Sequence, residues 1–139
     1  PFGPIGQTGP TGQTGPNGIL NSIVLQPGGN INITTPVVND YNLNNGFSYY
    51  VMKTSNATSA DITGFTSGVN GRIIFIVNDT LLNQRFIDES PNSLVSNRLV
   101  IGAPNIVINR NQTIGFLYTT NLTIGALSGQ DRWVMISNT

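Results

Sequence analysis

The sequence predicts an all-β protein: a jelly-roll-like β-sandwich head, homotrimeric, preceded by a short collagen triple helix. Three observations predict it. Glycine recurs at every third position through the first residues, short apolar runs alternate with turn residues over the rest, and no stretch keeps a helical period for more than two turns.

The stalk spans Pro1 to Gly18, with glycine at Gly3, Gly6, Gly9, Gly12, Gly15 and Gly18. With background glycine near 7%, five further glycines in register after the first arise by chance about once in 10⁶ trials. The physical cause of such a period is the collagen triple helix, whose axis has no room for a side chain, so those six glycines are expected on the axis. Pro4, Pro10 and Pro16 each follow a glycine and pre-set φ for the polyproline-II conformation. A flexible linker has no reason to hold strict phase. Six triplets without a charged residue make a short zipper, so the region from Ile19 to Thr139 is expected to hold the three chains in register. The chain opens at Pro1 in mid-repeat, which reads as a piece of a longer protein.

In the head, strands are expected at Ser22 to Gln26, Asn30 to Val38, Phe47 to Lys53, Arg72 to Asn78, Arg98 to Ile101, Asn105 to Asn109, Gln112 to Thr119 and Asp131 to Ser137. Pro27-Gly28-Gly29, Asn45-Gly46, Asn70-Gly71 and Gly102-Ala103-Pro104 divide them with residues that fix φ or tolerate positive φ. Within Gln112 to Thr119, Ile114, Phe116 and Tyr118 share one face. The run from Ile73 to Val77 is apolar on both faces, so it belongs in a central strand or against a neighbouring chain. On that ground Ile74, Ile76, Phe116 and Tyr118 are the expected trimer interface.

Charge narrows the function classes. Only 9% of residues are charged and the net charge is zero, so there is no basic stripe to gain affinity by counterion release, and neither nucleic acid nor anionic membrane is an expected partner. No apolar run approaches the ~20 residues that span a bilayer. Cysteine and histidine are absent, which removes thiolate and imidazole metal sites and the Ser-His-Asp triad together. No metal or cofactor is expected. Six acids remain, and only Asp88 and Glu89 adjoin. Adjacent strand residues face opposite ways, so we read this pair as part of a solvated loop between Gln84 and Pro91 and expect no enzyme. A depolymerase would need an acid pair assembled between subunits.

Most of the aromatic residues are expected in the core. Tyr41, Tyr49 and Tyr50 lie near Asn-rich turns, where an aromatic plate beside amides suits a sugar, so they are the candidate glycan contacts. Five Asn-x-Ser/Thr sequons occur, at Asn32, Asn56, Asn78, Asn111 and Asn121.

Ile62-Thr63-Gly64-Phe65, Gly71-Arg72 opening an aliphatic strand, Ser96-Asn97-Arg98-Leu99, Ile114 to Tyr118, and Asp131 to Ser137 occur in that order. Together they resemble a β-rich module at the C-terminal ends of fibre and tail proteins of phages and large DNA viruses. The resemblance covers about half the chain and implies a structural fibre protein on a virion surface, without naming a receptor. A homotrimer, other virion proteins or a host-surface glycan are the expected partners. A longer Leu81 to Pro91 loop and the lack of a histidine near Glu89 depart from the commoner pattern. Two other readings are a dedicated glycan-binding lectin head and a spore- or cell-surface collagen-like protein whose head looks like that of tumour necrosis factor or C1q.

Overall fold

In the computed structural model, residues 3, 27–43, 46–54, 58–122, 127 and 129–139 are described. The strands are β1 (Pro27–Ile33), β2 (Val37–Val38), β3 (Tyr49–Thr54), β4 (Asp61–Ile62), β5 (Ile73–Asn78), β6 (Gln84–Ile87), β7 (Leu99–Val100), β8 (Asn105–Ile108), β9 (Thr113–Leu122) and β10 (Gln130–Asn138), with a 3₁₀ turn at Val95–Asn97 before β7. They form a larger sheet in the order β1-β3-β5-β9-β10-β7 and a smaller one in the order β2-β4-β6-β8. The all-β, two-sheet architecture is therefore present.

The winding differs from a jelly roll. From β1 to β6 the chain changes sheet at every strand, and each strand lies parallel to the one two places before it. Parallel neighbours need a crossover, and here a strand of the opposite sheet supplies it. The result is three stacked coils rather than Greek-key antiparallel pairs. Val37, Asp61 and Arg85 stack in register on the smaller sheet, as do Val38, Ile62 and Phe86. Then the direction reverses: β8 pairs antiparallel with β6, and β9 with β5. This hairpin-like cover closes the last coil, as the end of a stacked array requires.

The core lies between the sheets. Ile31, Ile33, Tyr50, Met52, Ile74, Ile76, Ile114, Phe116 and Trp133 meet Val38, Ile62, Phe86 and Ile108. Phe65, from the connection after β4, stands 5.9 Å from Phe116 and 6.4 Å from Phe86, with ring planes inclined. The apolar run of β5 holds a central place, hydrogen-bonded to β3 on one side and β9 on the other.

Several elements depart from expectation. The strand foreseen at Asn30 to Val38 is broken at Thr34–Pro36, where the chain leaves the larger sheet for the smaller. Leu81 to Pro91 is not one loop: it contains β6, with Gln84 and Phe86 buried and Arg85 exposed. Ser22 to Gln26, and the stalk apart from Gly3, lie outside the described residues; Gly3 itself is exposed. Among the described residues no helix is long and apolar enough to cross a membrane.

Candidate functional site

The segments that carry the fibre-module resemblance converge on Trp133. Its indole N–H donates to the carbonyl of Phe65 at 2.9 Å, and its ring meets those of Phe65 and Tyr118 edge-on at 6.1 and 5.0 Å. The Arg72 guanidinium lies 5.9 Å from the indole centroid, close enough for a cation–π attraction. The same guanidinium donates to the carbonyls of Ser67 and Phe47 and to the Tyr50 hydroxyl. β10 runs beside β7 at Trp133 and Leu99. Gly64 packs so closely on the Val95–Asn97 turn that a Cβ would stand 2.5 Å from the Asn97 carbonyl oxygen. These residues thus define a packing hub rather than an open site.

The three tyrosines do not gather into one plate. The Tyr41 hydroxyl donates to the Asn30 carbonyl and accepts from the Asn32 N–H, so it occupies backbone groups of β1, one of the two edge strands of its sheet among the described residues. Tyr50 points inward and is buried; burial raises its pKa above the ordinary tyrosine value, opposed by the nearby Arg72 charge. Burial likewise raises Tyr118, with Asp131 adding to it and Arg132 opposing. Tyr49 lies on the opposite face of β3, in register with Phe75.

Every carboxylate is engaged within the chain. Asp88 accepts from the N–H groups of Ile101 and Gly102, whereas Glu89 forms a two-pronged pair with Arg132 at 2.6 and 3.0 Å. Arg132 is buried, and it also donates to Gln130 and the Asp131 carbonyl. Asp40, at φ 45°, accepts from the Leu94 N–H and the Asn97 amide and so ties down the 3₁₀ turn. Asp61 pairs with Arg85, Asp79 with Lys53, and Asp131 accepts from the Asn121 N–H. The Lys53 ammonium lowers the pKa of Asp79, and Asp61 raises that of Arg85. No cluster of three metal-ligating side chains occurs among the described residues.

Of the sequon asparagines, Asn32, Asn111 and Asn121 are exposed. Asn78 is fully buried: its amide donates to the carbonyls of Leu82 and Ile108, and its oxygen accepts from the Thr80 N–H and hydroxyl. It has no access to a glycosylating enzyme in the folded chain. Asn56 lies outside the described residues.

Ile74, Ile76, Phe116 and Tyr118, expected at a trimer interface, all face the interior of their own chain and are at most 5% exposed. Side chains with so little accessible surface have almost none to bury against a neighbour. The faces open to a partner are the outer ones. On the larger sheet, Tyr49 and Val51 (β3), Ile73, Phe75 and Val77 (β5), Leu117 (β9) and Val134 (β10) lie in register on one surface. Phe75 sits opposite Gly115, where a Cβ would come 2.9 Å from its ring; glycine lets the ring lie down across the sheet. On the smaller sheet, one row across the outer face reads Val37, Asp61, Arg85, Val107, with the ion pair at its middle. An open cleft of about 480 Å³ beside the larger sheet is lined by Phe47, Ser48, Asn70 and Arg72 among others. Sequence reasoning singled out strands β5 and β9 and chose their inward-facing residues; the outward-facing set is the odd-numbered one, Ile73, Phe75, Val77 and Leu117.

No family model, curated protein or solved structure matches the chain.

Proposed function

We propose that this chain is a structural fibre protein in which three copies wind a Gly-X-Y stalk and the β-rich head trimerises, sets the stalk's register and mediates attachment at a virion surface. The observation that carries this reading is the unbroken glycine phase from Gly3 to Gly18. Such a phase has a physical purpose only when three chains share one axis. A trimeric head complements it, because six uncharged triplets need a partner to align them. The carboxylates support a structural rather than a catalytic role, since each is spent on a turn or an ion pair. Sedimentation of the chain at micromolar concentration tests the proposal: the expected mass is three times 14.8 kDa, and a monomer overturns it.

A lectin head is the second reading, favoured by the open cleft that Phe47, Ser48, Asn70 and Arg72 help to line. A glycan array on the assembled protein separates the two readings, since a purely structural head gives no sugar-specific signal.

A further inference from the structure

We infer that the outer face of the larger sheet, centred on Phe75, Leu117 and Val134, is the seam between heads, and that a second copy of this chain covers it. This inference rests on the trimeric reading and assigns its surface.

The two outer faces differ in what docking would cost. On the smaller sheet, the Asp61–Arg85 pair occupies the middle of the row from Val37 to Val107, and covering it would strip water from two charges. On the larger sheet the centre, Phe75, Leu117 and Val134, is uncharged. Among the described residues two ion pairs involve this sheet. Lys53 with Asp79 stands at the end of β3 and just past β5, at the margin. Arg132 of β10 pairs with Glu89, and its guanidinium is already buried within the chain and so has no water left to lose. A charge-poor centre carrying an aromatic side chain within a polar margin is the composition of a protein interface core. Phe75 lying over Gly115 flattens that centre, and Ile73 and Ile136 beside it remain 37% and 46% exposed.

The occupant follows from the chain itself. A triple helix ending at Gly18 brings three copies together, and the nine steps from Gly18 to Pro27 reach at most roughly 30 Å at full extension. The start of each β1 is therefore held within that distance of a common axis. A tether of this length places neighbouring heads at about millimolar effective concentration, so a modest apolar face is sufficient. The chain's zero net charge means that identical copies meet without long-range repulsion.

The test is sedimentation velocity over a concentration series on the whole chain, for wild type, the double variant Leu117→Glu/Val134→Glu, and Val107→Glu on the smaller sheet. Near-ultraviolet dichroism of Trp133 reports the fold of the single head. The expected result is a trimeric wild type, a trimeric Val107→Glu protein and a double variant that retains its Trp133 signal while its dissociation constant rises about 100-fold or more. A double variant that stays trimeric at wild-type affinity overturns the seam and leaves the trimeric reading standing. A Val107→Glu protein that dissociates equally also overturns the seam. A monomeric wild type overturns the trimeric reading itself, and the seam with it. Should the double variant lose its Trp133 signal, Leu117→Thr/Val134→Thr keeps β-forming side chains at both positions; weakened association then supports the seam, and unchanged association overturns it.

Discussion

Arg132 shows how a single charge is accommodated in a chain with so few. Its guanidinium is buried, and Glu89 neutralises it with two hydrogen bonds while the Gln130 side-chain oxygen and the Asp131 carbonyl accept further ones. Glu89 itself adopts φ 42°, a left-handed conformation that a non-glycine residue enters at some cost and that turns its carboxylate toward Arg132. Glu89→Ala leaves a buried cation without its counter-charge and is expected to destabilise the head by about 3 kcal/mol, read from the shift in urea midpoint at fixed protein concentration. Glu89→Ala combined with Arg132→Met removes both charges and should recover most of that loss. If the double variant is no more stable than the single one, the pair is not coupled as the geometry indicates. The sequence disclosed the two residues but not their partnership, since 43 positions separate them and neither lies in a pattern that pairs them. The same holds for Asp88, whose backbone partners come from the turn after β7.

At the scale of elements, legibility mostly tracked length, the two-residue β7 being legible because it lies inside the apolar run expected at Arg98 to Ile101. β5, β9 and β10 are long enough for alternation to show, and their expected spans differ from the observed ones by a few residues at most. β2 and β4 have two residues each, too few to carry any period. β6 presents only Phe86 as a large inward apolar side chain, because the other inward position is Gln84. The coil repeat is therefore written mainly in the buried column Val38, Ile62 and Phe86, echoed by the bridge between Tyr41 and Phe65. A column of three unlike apolar residues is hard to distinguish from ordinary composition. What replaces apolar burial at the corner from β5 to β6 is a closed polar group: Asn78, Thr80 and Gln84 satisfy one another and the backbone of Thr58, Ala60, Leu82 and Ile108. Asn78→Ala leaves several of these buried groups unpaired and should cost about 3 kcal/mol. Asn32→Ala, at an exposed position on β1, is the control, with an expected loss below about 1 kcal/mol. Equal losses at the two sites would contradict a structural role for the corner.

At the scale of the whole molecule, the proposed trimer divides one task between stalk and head, because neither a short triple helix nor a modest apolar face would hold three chains together by itself. The stalk glycines other than Gly3 lie outside the described residues, so their role is argued from spacing. Gly9 falls in the middle of the Gly-X-Y tract, and the proposed triple helix would place it on an axis where three chains leave no room for a β-carbon. Gly9→Ala should therefore loosen the stalk locally while leaving the head unchanged. A flexible linker predicts the opposite sign, since alanine would restrict the unfolded chain slightly and cause no loss. The measurement is protease protection of Phe2 to Asn17 in the intact assembly, wild type against variant, with the head's melting temperature as the internal control. The expected outcome is faster cleavage of the variant tract at an unchanged head melting temperature. A wild-type tract digested as fast as the variant would show that no triple helix had formed, and the common axis that places three heads side by side would then have to come from elsewhere.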